Sequence, residues 1–239
     1  MRTFYKRQIC LWDSILRLVF PEICLICGVP IQTKEIVGLC ETCRSRIKRW
    51  EGRGCTRCGK PLISEDGICS VCREKEYLFD SGYSLFDYRS EGRELIYQYK
   101  FKNRRILSKY FAYQIVQYML DRGEILPVIP VPPRRKSIKR RGWDPVNRIL
   151  RDLERNYSIK GLRPLKRLDS RAQKELNREK REQNLKNRIV FLNKINFDFS
   201  GGIYLLDDVW TTGATVNECS RILKQNGFQS IHVITICRD

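Results

Sequence analysis

The apolar positions change their spacing along the chain, and that change divides it. From about residue 77 onward, short apolar runs alternate with longer stretches of helical period. "SGYSLFDY" (81–88) predicts a strand. "GRELIYQYKF" and "ILSKYFAYQIVQYMLDRG" predict helices, the second stopped at Gly123. "LPVIPVPP" (126–133) predicts a Pro-flanked strand. "DPVNRILRDLERN" predicts a helix with Asp144 as N-cap and Pro145 at its first position. "GGIYLLDDV" predicts a buried strand, "ATVNECSRILKQNG" a helix ended by Gly227, and "IHVITIC" a last strand. Strands alternating with helices imply an α/β domain built on a mainly parallel sheet.

Before residue 77 the apolar pattern is thin and cysteine takes its place. Eight of the 11 cysteines form four Cys-x-x-Cys pairs within residues 24–72. A disulfide framework needs an export signal, and the apolar part of the N-terminus is broken by Asp13 and Arg17. Thiolate pairs two residues apart suit tetrahedral zinc, because one tight turn aims both sulfurs at one ion. "CLICGVPI…CETC" and "CTRCGKPL…CSVC" are an internal repeat. A repeated unit most simply carries one whole site, so Cys24, Cys27, Cys40 and Cys43 are assigned to one zinc ion, and Cys55, Cys58, Cys69 and Cys72 to a second. A cross-braced pairing stays open beside this. Four thiolates leave no free coordination position, so both ions are expected to be structural. They also explain how residues 1–76 fold without much core. Cys10, Cys219 and Cys237 read as ordinary thiols. Ile9, Trp12, Leu16, Val19 and Phe20 share a helical face, read as a helix docked on its own domain, with membrane-surface or partner binding as the alternative. The expected domains are 1–76 (N-terminal helix and zinc region) and 77–239 (the α/β unit).

Charge narrows the ligands. The chain carries 46 Lys/Arg against 27 Asp/Glu, a formal net charge of +19, and residues 134–188 hold 20 of the basic and 7 of the acidic side chains. Such a field attracts polyanions: nucleic acid, phosphorylated metabolites or anionic lipid. A merely solvated basic surface is the plainer alternative. No apolar run reaches the roughly 18 residues of a membrane-spanning helix, and a cytoplasmic location is expected.

The densest chemistry lies in "IYLLDDVWTTGATV" (203–216). Ligands of open α/β sheets bind at the carboxyl ends of strands, which is where Asp207 and Asp208 fall. Thr211, Thr212, Gly213, Ala214 and Thr215 then lead into a helix N-terminus, whose free N–H groups favour a phosphate. Two acids for ribose hydroxyls and a loop for a 5′-phosphate fit a sugar phosphate. The alternative is an Asp-capped strand end and a Thr-rich helix start.

"LLDDVWTTGAT" resembles the signature of type I phosphoribosyltransferases, which bind phosphoribosyl pyrophosphate (PRPP) with magnesium. The order of parts is similar to that of the ComF/GntX family, which joins an N-terminal double zinc ribbon to a phosphoribosyltransferase-like domain. The stretches carrying this are "FPEICLICG", "CTRCGKPL", "YQYKFKN", "VIPVPPRRKSIKRRGWDPVNRIL" and "RAQKELNREKREQNLKNRIVF". Where that family commonly reads Arg-Gly-Phe-Asn-Gln, this chain has Arg141-Gly142-Trp143-Asp144-Pro145. The resemblance implies the fold of a type I phosphoribosyltransferase, with Asp207 and Asp208 facing ribose and 211–215 on the 5′-phosphate. It makes Pro132, Pro133, Arg134, Arg135 and Lys136 a pyrophosphate loop, and Gln173, Arg181 and Asn184 part of a hood. Trp143 and Trp210 flank this region, either as core or as stacking partners for a base. The resemblance further implies a part in the handling of single-stranded DNA with the competence machinery, and the charge distribution puts the contact on 134–188 and the nearby "KFKNRR", with Arg134, Arg135, Lys139, Arg140 and Arg141 in its densest run. A true transferase acting on an unidentified base or amine is the alternative. Neither an acceptor nor an oligomeric state is implied.

Overall fold

The computed structural model describes residues 23–31, 38–47, 49, 54–62, 67–88, 91–168, 188–192 and 201–239. The expected N-terminal helix, Cys10, and the hood residues Gln173, Arg181 and Asn184 lie outside the described residues.

Four parallel strands form the centre: β1 (Ser81–Asp87), β2 (Val128–Pro130), β5 (Ile203–Trp210) and β6 (Ile231–Arg238), in the order β1-β6-β5-β2. The helices around them are α3 (Glu91–Lys100), α4 (Leu107–Asp121), α5 (Arg135–Arg141), α6 (Pro145–Tyr157) and α7 (Ala214–Gln225). A short antiparallel ladder, β3 (Leu165–Arg167) with β4 (Ile189–Phe191), stands apart from the sheet. Two one-turn helices, α1 (Glu41–Arg46) and α2 (Ser70–Glu74), belong to the cysteine region. The molecule is thus an α/β fold on a mainly parallel sheet, preceded by a double zinc ribbon with two four-cysteine sites.

Local chemistry accounts for the main helices. Asp144 caps α6 by accepting from the amides of Val146 (3.0 Å) and Asn147 (3.2 Å), and Pro145 takes the first turn, where its missing N–H costs nothing. Val146, Ile149, Leu150 and Leu153 form the buried face of α6. β5 alternates with a period of two. Tyr204 and Leu206 enter a core shared with α3, α4 and α6, while Ile203 and Leu205 enter one shared with α7 and Phe228. The two cysteine units divide the same way. Cys24 and Cys43 pack in the first core, and Cys55, Cys58 and Cys69 in the second.

Two expectations need correction. The strand expected over 126–133 is only Val128–Pro130 long, because Pro127, Pro130, Pro132 and Pro133 cannot donate to a ladder. And the loop expected over 132–136 ends early: Arg135 and Lys136 already belong to the helix α5. Its sequence, RKSIKRR, has one apolar residue and so no helical period to read. Gly142, at φ 79°, closes it, its backbone N–H donating to Ile138 O.

Candidate phosphate site and metal centres

Each cysteine unit is built from the backbone up. After the leading pair, Gly28 (φ 75°) and Gly59 (φ 72°) turn the chain in the left-handed region, and their amides donate to Cys24 O and Cys55 O. Cys24 N–H to Val29 O and Cys55 N–H to Lys60 O close the same knuckle twice. Cys40 and Cys69 then stand as N-caps of α1 and α2. This brings together the sulfurs of Cys24, Cys27, Cys40 and Cys43, and those of Cys55, Cys58, Cys69 and Cys72, all within 4.8 Å of one another in each set. The pairing is sequential and not cross-braced. Tetrahedral zinc with Zn–S near 2.3 Å needs S···S edges of about 3.8 Å. Cys27–Cys40 and Cys58–Cys69 are each 3.7 Å apart, so both cages fit zinc. Burial pushes thiols up, yet backbone N–H groups outweigh it at the first cysteine of each unit: Cys24 is lowered to about 6 and Cys55 to about 7. The second cage is the more deeply buried.

The carboxyl ends of the strands carry a cavity of about 290 Å³. Asp207 and Asp208 of β5 line it, as do Pro132, Pro133 and Arg134 after β2, Asp144 before α6, and Thr211 and Thr215. Lys100, at the end of α3, reaches across to Asp208, with Nζ 2.6 Å from Oδ2. Asp208 N–H donates to Asp207 Oδ1 at 2.8 Å. Loss of water, then the Asp208 charge beside it, pushes the Asp207 carboxyl up to about 7, with Lys100 and Arg167 pulling the other way. Arg167 of β3 lines the same cavity and donates from Nε to Pro132 O (3.1 Å), pinning the loop after β2. A second cavity of about 290 Å³ adjoins it, sharing Arg134, Arg167 and Thr215 and adding Arg188 and Glu218.

Gly213 is the N-cap of α7 at φ 73°. The first helical bond, Asn217 N–H to Gly213 O, leaves the amides of Thr215 and Val216 pointing out of the helix end. Ala214 N–H makes only a long contact to Thr212 Oγ1 (3.4 Å). A Cβ on Gly213 would come within 2.9 Å of Trp210 Cζ2 and 3.0 Å of Tyr77 Cε1, so glycine is required here by φ and by two rings beneath it.

Comparison with known proteins adds identity to this geometry. Residues 15–73 match the family model "Double zinc ribbon domain". Competence protein F of Haemophilus influenzae is 30% identical over 210 residues, covering 84% of this chain and 90% of that protein. The chain belongs to the ComF/GntX family. Two further relatives are alike over nearly their whole length. The DNA utilization protein YhgH of Escherichia coli O6:H1 is 28% identical, covering 92% of this chain and 99% of the relative. Competence protein ComFC of Streptococcus pneumoniae is 25% identical, covering 90% and 99%.

As a ComF/GntX member, the chain brings together only part of what its sequence suggested. Asp207, Asp208, Thr211 and Thr215 share one cavity, and Thr212, Gly213 and Ala214 line a small cleft next to it. Of residues 132–136, Pro132, Pro133 and Arg134 line the cavity. Arg135 and Lys136 are exposed in the first turn of α5 and are not among the lining residues; Ser137 and Arg141 are. Lys139 and Arg140 are exposed on α5. Trp143 (9% exposed) and Trp210 (3%) are core side chains. Trp143 packs edge-on against Tyr99, and Trp210 against Tyr77 and Phe79. Sequence reading missed Lys100 and Arg167. "YQYKFKN" carried Lys100 in plain view, but nothing in it distinguishes a site cation from any other basic residue.

Proposed function

We propose that the chain binds PRPP with magnesium and acts, in the cytoplasm, on single-stranded DNA during natural competence, its ribbons held by two structural zinc ions. The observation that carries the PRPP reading is the coincidence in one cavity of the Asp207–Asp208 pair, Thr211 and Thr215, and the cations Lys100, Arg134, Arg141 and Arg167, with the rest of the turn lining the cleft beside it. Asp207 and Asp208 would accept from ribose hydroxyls, Thr211–Thr215 would hold the 5′-phosphate at the start of α7, and the arginines would face the pyrophosphate. Magnesium, carried on the pyrophosphate, would lower its charge, and carboxylates are suitable hard donors toward it. The role in competence rests on the names of the relatives. The single-strand preference rests on the family resemblance, while the basic segment 134–188 supports binding to nucleic acid in general.

A salt titration tests the DNA part. Binding to single-stranded oligonucleotides of unrelated sequence is expected to fall by roughly 0.7 log units per log unit of salt for each phosphate contact. Changing Arg134, Arg135, Lys139, Arg140 and Arg141 to Ala should flatten that slope and weaken binding. Only Arg134 and Arg141 of the five line the cavity, so PRPP should remove part of the binding and leave the share carried by Arg135, Lys139 and Arg140. An unchanged slope in the five-fold variant would sink this assignment.

A second reading, phosphoribosyl transfer to an unidentified base or amine, is favoured by the adjoining cavity at Arg134, Arg167 and Thr215, which offers an acceptor room beside the sugar. The family resemblance implies no covalent enzyme intermediate, so the acceptor itself would attack the anomeric carbon while pyrophosphate leaves. Pyrophosphate release on adding candidate acceptors separates this from binding alone.

A further inference from the structure

The second cysteine cage stands directly beneath the phosphate turn. Two chains of contacts join them, and both begin in one knuckle, Cys55–Cys58. In the first, the guanidinium of Arg238, the last residue of β6, donates to Cys58 O (2.5 Å) and to Cys58 Sγ (3.1 Å). The same guanidinium lies 4.7 Å from the ring centre of Trp210. Trp210 in turn fills the space under Gly213. In the second, Arg57 donates to Tyr77 O, and Tyr77 Oη donates to Thr212 O (3.2 Å). The interface is tight. A Cβ on Gly82 would meet both Cys58 O and Trp210 Cζ3 at 3.2 Å, and one on Gly59 would lie 2.2 Å from Gly82 O. Asn217, one turn into α7, accepts from Leu78 N–H (2.7 Å) and donates to Glu76 O (3.3 Å). The first cage packs instead in the core on the opposite face of the sheet.

The turn itself has little else to hold it. Thr211, Thr212 and Ala214 are exposed, and only Gly213 is buried, against the two rings. Its geometry therefore depends on where Trp210 and Tyr77 sit. Those positions depend on a knuckle whose shape is set by four sulfurs gathered on one ion. Four thiolates on zinc carry a net charge of about −2, which holds Arg238 by a charge-assisted hydrogen bond.

We infer that Arg238 and Trp210 are positioning residues through which the ion held by Cys55, Cys58, Cys69 and Cys72, and not the ion of the first cage, sets the shape of turn 211–215 and with it the affinity for a phosphorylated ligand. The ligand, taken as PRPP, rests on the function proposed above; the coupling of cage to turn does not.

Amide hydrogen exchange in the ligand-free protein reads the coupling directly. Three variants decide it: Cys72→Ser, which weakens the second cage; Cys40→Ser, which weakens the first; and Arg238→Leu, which keeps all eight cysteines. Exchange of the Asn217 amide, which is held by Gly213 O and so reports the shape of the turn, is expected to quicken about tenfold in Cys72→Ser and in Arg238→Leu, and to stay within about twofold of wild type in Cys40→Ser. Arg238→Leu should still hold two zinc ions and leave α6 protected, which separates positioning from general loosening. Arg238→Lys, which keeps the charge near Cys58 Sγ, should recover part of the protection. Unchanged exchange in Arg238→Leu, or equal quickening in Cys40→Ser, would overturn the inference. PRPP titration with magnesium is read separately on the same variants. If the wild type does not bind PRPP, the proposed function fails while the exchange data still decide the coupling. If exchange quickens but PRPP affinity is unchanged, control of the ligand is overturned.

Discussion

Asp207→Asn is expected to lose PRPP binding by about a hundredfold or more while melting at a higher temperature than the wild type. Both effects come from one cause. Asp207 is half-buried beside a second carboxylate, and loss of water with the Asp208 charge pushes its carboxyl up from 3.8 to about 7. In the unfolded chain the group ionises near pH 4, and in the fold it stays protonated until about 7. The fold therefore loses stability as pH rises between these values, and carries the full penalty above 7. An asparagine side chain carries no such penalty and can still accept from Asp208 N–H at the position of Oδ1. The melting-temperature advantage of the Asp207→Asn variant should thus grow from pH 4 to 7 and level off above. Binding moves the other way, because two charge-assisted hydrogen bonds to ribose would go. Wild-type affinity should rise by up to about tenfold per pH unit below 7, as the carboxylate forms, and then flatten. Gly213→Val offers the contrast: it too should lose the ligand, but with a lower melting temperature, since its branched side chain meets Trp210 and Tyr77 at a positive φ. Calorimetry and thermal melts between pH 5 and 8 check all three. A lower melting temperature for Asp207→Asn at pH 8 would refute the strained-carboxylate account.

The largest loss of structure is expected on removing zinc. A freshly purified protein should carry two ions, and Cys24→Ser and Cys55→Ser should each remove one, as measured by metal release into a chromogenic chelator. Structural zinc in small domains contributes on the order of 10 kcal/mol at neutral pH. A strong chelator should therefore unfold both ribbons. The two variants should not be equivalent. Loss at Cys55 strikes a buried cage that packs with Trp210, Val216 and Cys219, so damage should spread to α7 and the phosphate turn. Loss at Cys24 should spread toward α3 and α4. A well-folded protein without metal, or one ion lost in part from each cage in a single variant, would contradict the sequential pairing in solution.

The family resemblance could be read because its motifs are continuous in the chain. Asp207 through Thr215 span nine residues, and a strand end, a turn and a helix start are short-range events fixed by local φ/ψ preferences and by where apolar residues stop. The same holds for the Cys-x-x-Cys-Gly-x-Pro units, where one knuckle sets two ligands. The helix α5 escaped notice because RKSIKRR has no apolar face, and the β3–β4 ladder because each strand is three residues long and its partner lies more than twenty positions away.

The sequence by itself determined the α/β class, the eight cysteines of the two metal cages and the run of residues that forms the turn 211–215, while leaving open which four cysteines share an ion. Each of these is written in the spacing of near neighbours, which backbone geometry converts directly into structure. Only the tertiary structure decided which of 46 basic side chains enter the cavity. Lys100 meets Asp208 across 108 positions, and Arg167 meets Pro132 across 35; nothing local distinguishes them from their equally charged neighbours. It also decided that two similar cysteine repeats lie on opposite faces of one sheet, so that only the second touches Trp210 and Arg238. Similar local sequence gives similar knuckles, but each knuckle's neighbours depend on which apolar surface the sheet leaves to be covered. That choice is made by burial over the whole molecule, a property no window of the sequence contains.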